Sequence, residues 1–470
     1  MSNGNDVSRR GFLIGAAAAT ASLANGCASA GKGKPVSADG RRFYRGQFHT
    51  HTYWSDGRAF PEQAIRFYRE RGHDFLGISD HNLYGSFRKV REVGGEKGIS
   101  PAIFEAYKSE FPDMVETETT PAGATAVVLS QVSKLRKRFE VPGEFVLLDA
   151  VEATSSVKDT GTGVKNQVHM NYLNVPGVPP YVAKFPPEST VVGRIRDTEA
   201  AVAKLAAELK REPMFTLNHP FWEWYDIRPE DLIALPQVRF FELFCGGSGY
   251  RAAKGLPRDG LNHDRFWDVV NAFRARRGER LLLGVGNDDT HNYFGEPAIS
   301  LPHTCLLFNA WNYVRAEELT AEALLKAMQA GDFACCAGFE PRDFAFDRKT
   351  GTLTVSVDGR KDLVRTVEFV VTKKDFSEKP VKTVVVHPAE LSDPALQKRY
   401  ERTVSLYDMS KIGCVAKKVS GRIGGPVTAS YTMAPDDLYV RARIISPERP
   451  VCSANLHPMV QMCWTQPYQR

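Results

Sequence analysis

Between Arg41 and Gly338 the chain alternates short, mostly apolar β-like runs with amphipathic helical stretches. This alternation is typical of an α/β protein with a mainly parallel sheet, either open or closed into a barrel. The predicted helices include Pro61–Arg71, Thr198–Arg211 and His263–Arg276, and the segment 94–141 is long enough to form an inserted helical cap. The predicted strands are Phe43–Thr50, Phe75–Ser79, Phe145–Glu152, Gln167–Asn174, Met214–Asn218, Phe240–Leu243 and Leu281–Gly286.

The texture of the sequence changes after about Phe339. Apolar and polar residues now alternate between turn signals, which predicts a small antiparallel β-domain, a β-sandwich, over residues 339–470. A chain of 470 residues is long enough for two such domains. The alternating runs are DFAFD, GTLTVSVDG, VEFVVTKKD, KTVVVHP, PVTASYTM and LYVRARIIS.

Residues 1–30 are predicted to be a twin-arginine (Tat) signal peptide, and residues 31–40 a linker. Arg9 and Arg10 precede an apolar run, and small residues follow it. Cleavage after Ala30 would yield a free periplasmic or secreted protein, whereas cleavage before Cys27 would yield a lipoprotein, although residues 24–26 form a poor lipobox. The Tat export machinery, which carries folded and often metal-loaded proteins, is therefore an expected partner.

The composition excludes several other classes of protein. The net charge of +6 is spread along the chain, so there is no electrostatic footprint of nucleic-acid binding. No apolar run beyond the N-terminus has transmembrane length, which predicts a mature chain without a transmembrane span. The eight cysteines show no regular spacing that would indicate a disulfide framework, although Cys452 and Cys463 could pair.

Histidines and carboxylates recur where the predicted strands end. In the stretch FHTHTYWSDG, His49 and His51 stand two residues apart, so on a strand they would lie on the same face. Since the carboxyl ends of parallel strands meet at one face, residues far apart in sequence would converge there. Such imidazole and carboxylate groups are typical metal ligands. The others are His81, Glu152, His169, His219, Asp289 and His291.

These motifs resemble the PHP (polymerase and histidinol phosphatase) superfamily of metallohydrolases. HTHTYWSDG, ISDH, the strand-end Glu152, NHP and D-x-H occur in the order and spacing of that superfamily, over roughly Arg41 to Asn292. The resemblance implies a distorted (β/α)7 barrel over residues 41–338, with two or three metal ions at its C-terminal face. Asp56 stands where some members have a histidine, and the D-x-H spacing favours Asp289 over Asp288.

The resemblance also implies a set of ligands for each ion. The first ion would take His49, His51, Glu152 and Asp289. The second would share Glu152 and add His169 and His219. The third would take Asp56, His81 and His291. Mixed imidazole and carboxylate ligands suit Zn²⁺, Mn²⁺ or Fe²⁺.

Such a site has the chemistry of a hydrolase. A bound metal lowers the pKa of water from about 15.7 to about 7, so a metal-bound hydroxide can attack an ester. Most characterised members of the superfamily are phosphoesterases, and the predicted substrate is a small phosphate mono- or diester. Candidate cations for the phosphate are Arg88, Lys165, and Arg251 or Lys254. Asp80 either protonates the leaving group, orients a ligand, or makes a strand-end hydrogen bond.

Two alternatives stay open. The two-domain layout and the aromatic run PFWEWY after His219 resemble the carbaryl-hydrolase branch of the superfamily, which cleaves carbamate and carboxyl esters. In that case the aromatic side chains of residues 221–225 would line the pocket for an apolar leaving group. A non-catalytic surface-binding protein is the other alternative, and the complete set of predicted ligands disfavours it.

Overall fold

The structure is a computed structural model, and it describes residues 34–470 except 96, 159–164, 181–183, 187–188, 221–226, 247–261, 294–309, 387–393, 396–401 and 449–459. The predicted signal peptide, Arg251, Lys254, Cys452 and the aromatic residues 221–225 lie outside the described residues. No helix in the described part of the chain is long and apolar enough to cross a membrane.

The described residues form helices and strands in a mixed order, which confirms the α/β class. The helices are α1 (Pro61–Glu70), α2 (Pro101–Glu110), α3 (Val132–Phe139), α4 (Val191–Glu208), α5 (Pro229–Ile233), α6 (His263–Arg276) and α7 (Ala321–Ala330). The strands are β1 (Arg42–Gln47), β2 (Phe75–Ile78), β3 (Val90–Glu92), β4 (Thr117–Thr119), β5 (Thr125–Val128), β6 (Val146–Lys158), β7 (Lys165–Leu173), β8 (Met214–Leu217), β9 (Phe240–Cys245), β10 (Leu283–Asn287), β11 (Ala310–Ala316), β12 (Phe333–Ala337), β13 (Asp343–Asp347), β14 (Thr352–Val357), β15 (Thr366–Lys373), β16 (Lys382–Val386), β17 (Arg402–Leu406), β18 (Cys414–Ser420), β19 (Val427–Thr432), β20 (Asp437–Ser446) and β21 (Gln461–Thr465).

Local chemistry explains where two of the helices begin or end. α6 has its predicted bounds, and the side chain of Asn262 caps it by accepting a hydrogen bond of 2.8 Å from the Arg265 amide. α7 begins after Thr320, which caps the Ala323 amide, and ends at Gly331 with φ of 79°. That left-handed conformation favours glycine, because a Cβ would be strained there.

Seven strands form a curved sheet in the order β10-β9-β8-β7-β6-β2-β1. Its first and last strands meet again just beyond their carboxyl ends, where the His51 amide donates to the Thr290 carbonyl and the Asp289 amide donates to the His49 carbonyl, both at 2.9 Å. The curvature therefore brings the ends of β1 and β10 together. The apolar side chains packed between these strands and α7 include Phe48, Phe75, Leu148, Phe240, Leu283 and Leu324.

Strand β7 departs from the predicted parallel pattern. β1, β2 and β6 are parallel, as are β8, β9 and β10, but β7 runs antiparallel to both β6 and β8. A parallel connection needs a crossover of roughly a dozen residues or more. Only residues 159–164 separate β6 from β7, so these two long strands pair as neighbours in a hairpin-like order. The β/α repeat is thus interrupted once.

The segment predicted as a helical cap is mixed. It contains α2 and α3, but also a small antiparallel sheet in the order β3-β5-β4. The β-branched residues of the TETTPAGATAVV stretch favour strands, and Gly123 with φ of 84° provides the turn between β4 and β5. We call residues 90–139 the insertion.

One sheet crosses the predicted boundary between the two domains. β1 pairs with β11, β11 with β12, and β12 with β21, from which the sheet continues through β20 and β15 to β18. Cys336 lies opposite Cys463 at this seam, with 3.4 Å between their sulfur atoms. The C-terminal region is therefore hydrogen-bonded directly to the first region.

The C-terminal strands form two layers. The sheet β13-β14-β19 packs on β15 and β20, and one apolar core contains residues of both layers. The six predicted strands of this region are present, whereas β17, β18 and β21 were not predicted. The buried residues shared by the two layers include Phe344, Leu353, Val355, Phe369, Ala442 and Ile444.

Candidate metal centre

The curved sheet brings the nine predicted metal ligands to one place. His49 and His51 follow β1, Asp56 lies in the next turn, and His81 follows β2. Glu152 and His169 lie within the paired strands β6 and β7. His219 follows β8, and Asp289 and His291 follow β10. The placement at strand ends holds for most of these residues, and the closure between β1 and β10 explains why they lie close together.

Glu152 is the centre of the cluster. Its side chain is fully buried, and five imidazoles face its two carboxylate oxygens. The nitrogen-to-oxygen distances to Glu152 are 3.3 Å for His49, 3.4 Å for His51, 2.6 Å for His81, 3.1 Å for His169 and 3.5 Å for His219.

Asp289 forms a second centre beside Glu152. Its Oδ1 lies 3.2 Å from His49 Nε2, 3.1 Å from His51 Nε2 and 3.5 Å from His291 Nδ1. The backbone of Asp289 has φ of 53°, a left-handed conformation that is uncommon for residues other than glycine. Strained backbone of this kind concentrates at functional sites, where the surrounding structure holds it in place. The neighbouring Asp288 accepts hydrogen bonds from Tyr68 and from the Ala310 amide, which leaves Asp289 to face the imidazoles.

Hydrogen bonds on the far side of the rings set which nitrogen faces the cluster. His49 Nδ1 lies 2.6 Å from Glu242 Oε1, and His169 Nε2 lies 2.8 Å from Gln167 Oε1. Each of these oxygens accepts a hydrogen bond from the ring N–H, so in the neutral ring the other nitrogen, which points toward Glu152, carries the lone pair. Second partners of this type commonly orient histidine ligands of metals.

Several polar atoms of the cluster are buried without a hydrogen-bond partner of good geometry among the described residues. They include Nε2 of His49 and Nε2 of His51, which face the oxygens of Glu152 and Asp289. Imidazole lone pairs that face carboxylate lone pairs repel each other unless a cation lies between them, and buried polar groups rarely remain unpaired. These donor atoms therefore fit divalent metal ions.

The geometry divides the cluster into overlapping groups in which all ligand atoms lie within 4.8 Å of one another. One group joins His49, His51 and Glu152, which belong to the predicted first set. Another contains the predicted third set together with His51. The predicted second set is divided, because His169 groups with His81 and Glu152, whereas His219 groups with His49 and Asp289.

The buried histidines differ in the direction in which their pKa values are shifted. Burial lowers the pKa of His51 to about 3 and that of His169 to about 4, so both rings are neutral at pH 7. Burial alone would also lower the pKa of His49, but Glu242, Asp289 and Glu152 raise it well above its ordinary value. Burial alone would raise the pKa of Glu152, but His81, His169 and His49 lower it well below the ordinary range. Glu152 is therefore ionised and His51 and His169 are neutral, which are the forms that bind metals. The surrounding carboxylates favour the protonated form of His49, so a metal ion there would replace that proton.

Glu242 is a site residue that the sequence analysis missed. It lies in β9 and is 1% exposed. Its carboxylate contacts His49 Nδ1 and accepts hydrogen bonds of 2.7 Å from the His219 amide and 2.9 Å from Asn287 Nδ2. The signal in the sequence was a carboxylate in the apolar run FFELF, where an acidic residue needs buried partners. Glu242 thus orients two of the histidines.

Glu242→Gln is expected to weaken metal binding about 10- to 100-fold, because His49 loses the carboxylate that orients its ring. The dissociation constant of Mn²⁺ or Zn²⁺, measured by competition with a chromogenic chelator, would test this. Glu208→Gln, which changes an exposed carboxylate of α4, is the matched control. Unchanged metal affinity in Glu242→Gln would contradict the orienting role.

The predicted non-ligand site residues have other placements. Asp80 accepts hydrogen bonds from the amides and hydroxyls of Thr52 and Ser55, at 2.6 to 3.0 Å, so it shows the strand-end hydrogen bonding that was one of its three predicted roles. Arg88 lies just before the insertion and pairs with Glu118 of the insertion, and none of its described contacts is with the cluster. Lys165 begins β7, and its side chain is outside the described residues, as is Arg251.

Comparisons with known proteins find only remote structural likeness. No family model matches the chain, and no curated protein matches it. A two-domain protein from Bacteroides vulgatus that contains a predicted PHP-like metal-dependent phosphoesterase is 12% identical, with 94% of this chain and 99% of that chain covered and a TM-score of 0.36.

Two further solved structures match about half of this chain. A candidate metal-dependent phosphoesterase from Bifidobacterium adolescentis is 14% identical, with 54% of this chain and 89% of that chain covered. An amidohydrolase from Chromobacterium violaceum with bound sulfate is 12% identical, with 53% of this chain and 88% of that chain covered. Both have a TM-score of 0.25. Likeness this remote carries no activity over to the present chain, so the case for function depends on the cluster itself.

Proposed function

We propose that this protein is a metal-dependent hydrolase that cleaves small phosphate mono- or diesters. The observation that carries the proposal is the convergence of five imidazoles on the buried Glu152, where Nε2 of His49 and Nε2 of His51 face the carboxylate oxygens without a hydrogen bond of good geometry. Two or three divalent ions, of Zn, Mn or Fe, would satisfy these atoms. When bound, such ions activate water and polarise the oxygen of a phosphate ester.

Each of the nine residues has a proposed role as a ligand. His49, His51, Glu152 and Asp289 would hold the first ion; His169 and His219 would join Glu152 at the second; Asp56, His81 and His291 would hold the third. The distances of 3.1 to 3.5 Å between most of these imidazole nitrogens and the carboxylate oxygens support this assignment. Glu242 and Gln167 would keep the rings of His49 and His169 in the orientation that binds metal.

The exposure of the ligands indicates the side from which substrate approaches. The side chains of Glu152 and His49 are 0% exposed, whereas those of His291 and Asp56 are 30% and 58% exposed. The inner end of the cluster is therefore closed by protein, and the ester would reach it past Asp56 and His291. Several metal ions at such an opening are well suited to in-line attack on phosphorus, which favours phosphate esters over carboxyl or carbamate esters.

The substrate class can be tested with four aryl esters of one leaving group. We expect the purified protein, loaded in turn with Mn²⁺ and Zn²⁺, to hydrolyse an aryl phosphate monoester or diester at least roughly a hundredfold faster than the acetate or the N-methylcarbamate. The measurement is kcat/KM for each ester, and the metal-free protein is the control. The reverse ranking would contradict the proposal and assign the protein to the carbamate and carboxyl ester hydrolases.

The arrangement of the strands suggests a barrel followed by a β-sandwich. We propose that the seven strands β1, β2 and β6–β10 form a distorted (β/α)7 barrel within residues 41–338, and that residues 339–470 form a β-sandwich. The ring of contacts between β1 and β10 and the two C-terminal layers support this arrangement. An experimental structure of the metal-loaded protein would test it.

Export through the Tat machinery to the periplasm, with cleavage after Ala30 or lipid attachment at Cys27, is proposed from the sequence of residues 1–30. Fractionation of cells that express the full chain, compared with the Arg9→Lys/Arg10→Lys variant, would test this export. Retention of the wild-type chain in the cytoplasm would contradict it.

A further inference from the structure

A cavity of about 410 Å³ lies beside the exposed end of the cluster. One wall is the turn after β1, including Tyr53, Asp56 and Arg58, and the other is the start of the insertion, from Arg91 to Ile103. Its volume is within the range that small-molecule sites usually have, roughly 300–1,000 Å³. The insertion therefore forms one side of a space that adjoins the candidate metal centre.

The cavity is connected to the cluster through shared residues. Asp56 lines the cavity and also belongs to the group that contains His51, His81 and His291. Asn292, which follows His291, is another lining residue. The Arg58 amide donates a hydrogen bond of 2.7 Å to the His291 carbonyl. A molecule whose ester lies at the exposed ligands would therefore extend its remaining part into this cavity.

Three cationic side chains, those of Arg58, Arg91 and Lys97, line the cavity, and they differ in their hydrogen bonding. The Arg91 guanidinium donates to the carbonyls of Tyr53, Ser55 and Lys97, which ties the turn to the insertion. The side chains of Arg58 and Lys97 are exposed, and no hydrogen bond or ion pair commits them within the described part of the chain. Asp56 is the carboxylate among the described lining residues, and it is directed toward His81 and His291. Among the described lining residues, the charge that no hydrogen bond or ion pair engages is therefore positive.

We propose that this cavity binds the leaving-group side of the substrate and that Arg58 and Lys97 recognise an acidic group on it. The inference depends on the proposed function, because it takes the scissile phosphate to lie at the cluster. It names the substrate class more closely: a small phosphate ester that carries a second anionic group, a carboxylate or a phosphate. Arg91 holds the two walls together and so positions both cations.

Two matched esters test the recognition of the second anion. Hydrolysis of 4-carboxyphenyl phosphate and of phenyl phosphate is measured in the Mn²⁺-loaded protein, in Arg58→Gln/Lys97→Gln and in the control Lys137→Gln. Lys137 is an exposed lysine of the same insertion and does not line the cavity. We expect the wild-type protein and Lys137→Gln to favour the carboxylated ester in kcat/KM, and the double variant to lose about tenfold of that preference, as expected for two charge-assisted contacts near the surface.

A binding measurement separates failure of this inference from failure of the proposed function. Calorimetric titration with 4-carboxyphenylphosphonate and phenylphosphonate compares the same two groups without hydrolysis. If neither ester is cleaved, the phosphatase proposal fails, and the ratio of phosphonate affinities still decides the role of the cavity. An unchanged ratio in the double variant, an equal loss for both compounds, or no binding of either phosphonate would overturn the inference.

Discussion

Glu152→Gln is expected to abolish metal binding and to lower hydrolysis by roughly a thousandfold or more, the largest effect of any single change at the site. Five imidazoles face the carboxylate of Glu152, and the substitution removes its charge while it keeps the size of the side chain. A neutral amide cannot bridge cations as a carboxylate does. Metal content, measured by mass spectrometry after gel filtration, and kcat/KM on an aryl phosphate are the two readouts.

Glu144→Gln is the matched control for this prediction. Glu144 is exposed in the turn just before β6, so the control removes the same charge close to the same strand. Circular dichroism of both variants in the presence of a chelator would establish that the metal-free fold is intact. Retention of the full metal content by Glu152→Gln would refute the assignment of Glu152 as the shared ligand.

Asp268→Asn is expected to lower the free energy of unfolding by about 3 kcal/mol, because it removes the two-point partner of the buried Arg441 and leaves only Asp264, 2.8 Å from Nη2, to balance the charge. Arg441 lies in β20 with 1% exposure, and its Nε and Nη2 donate to the two oxygens of Asp268 in α6, at 2.8 and 2.6 Å. Tyr439 donates to the same carboxylate at 2.8 Å. This pair joins the C-terminal region to the first region.

Urea unfolding monitored by circular dichroism would measure this loss. The control is Asp375→Asn, which removes a carboxylate from an exposed pair with Lys411 and is expected to change the stability little. If Asp268→Asn unfolds with the wild-type midpoint, the buried pair does not stabilise the contact between the two regions. A separate early transition in the variant would show that this contact is lost first.

The buried carboxylates of the site divide into two kinds. Glu152 and Asp289 face imidazole nitrogens, as ligands would. Glu242 and Asp80 hold the surrounding groups in place: Glu242 accepts hydrogen bonds from the far side of the His49 ring and from the His219 amide, and Asp80 accepts from the amides and hydroxyls of the turn after β1. The sequence motif drew attention to Asp80 because it precedes a histidine, but only the pairing of β9 with its neighbours places Glu242 beside His49. A carboxylate in an apolar strand gives no indication of which side chain it will meet.

Much of the first region was determined by local sequence. Six of the seven strands of the curved sheet were predicted to within about three residues, because apolar periodicity and chain length act over short distances, whereas β6 continues to Lys158, six residues beyond its predicted end. The position of most candidate ligands at a strand end follows from the same local pattern, but Glu152 and His169 lie within β6 and β7. His49 and His51 lie side by side for the simple reason that residues two apart on an extended chain share a face.

Tertiary structure alone decided the rest. The reversal of β7, the sheet that crosses from β12 to β21, and the strands of the insertion depend on pairing between segments that are distant in sequence. Pairing between distant segments also places His51 beside the predicted third ligand set and Glu242 beside His49. It brings Arg58 and Lys97 to the walls of one cavity as well. Strand periodicity specifies which face a side chain occupies but not which strand lies next to it. The candidate metal ligands were therefore readable from the sequence, whereas their partners and the shape of the space beside them came from long-range packing.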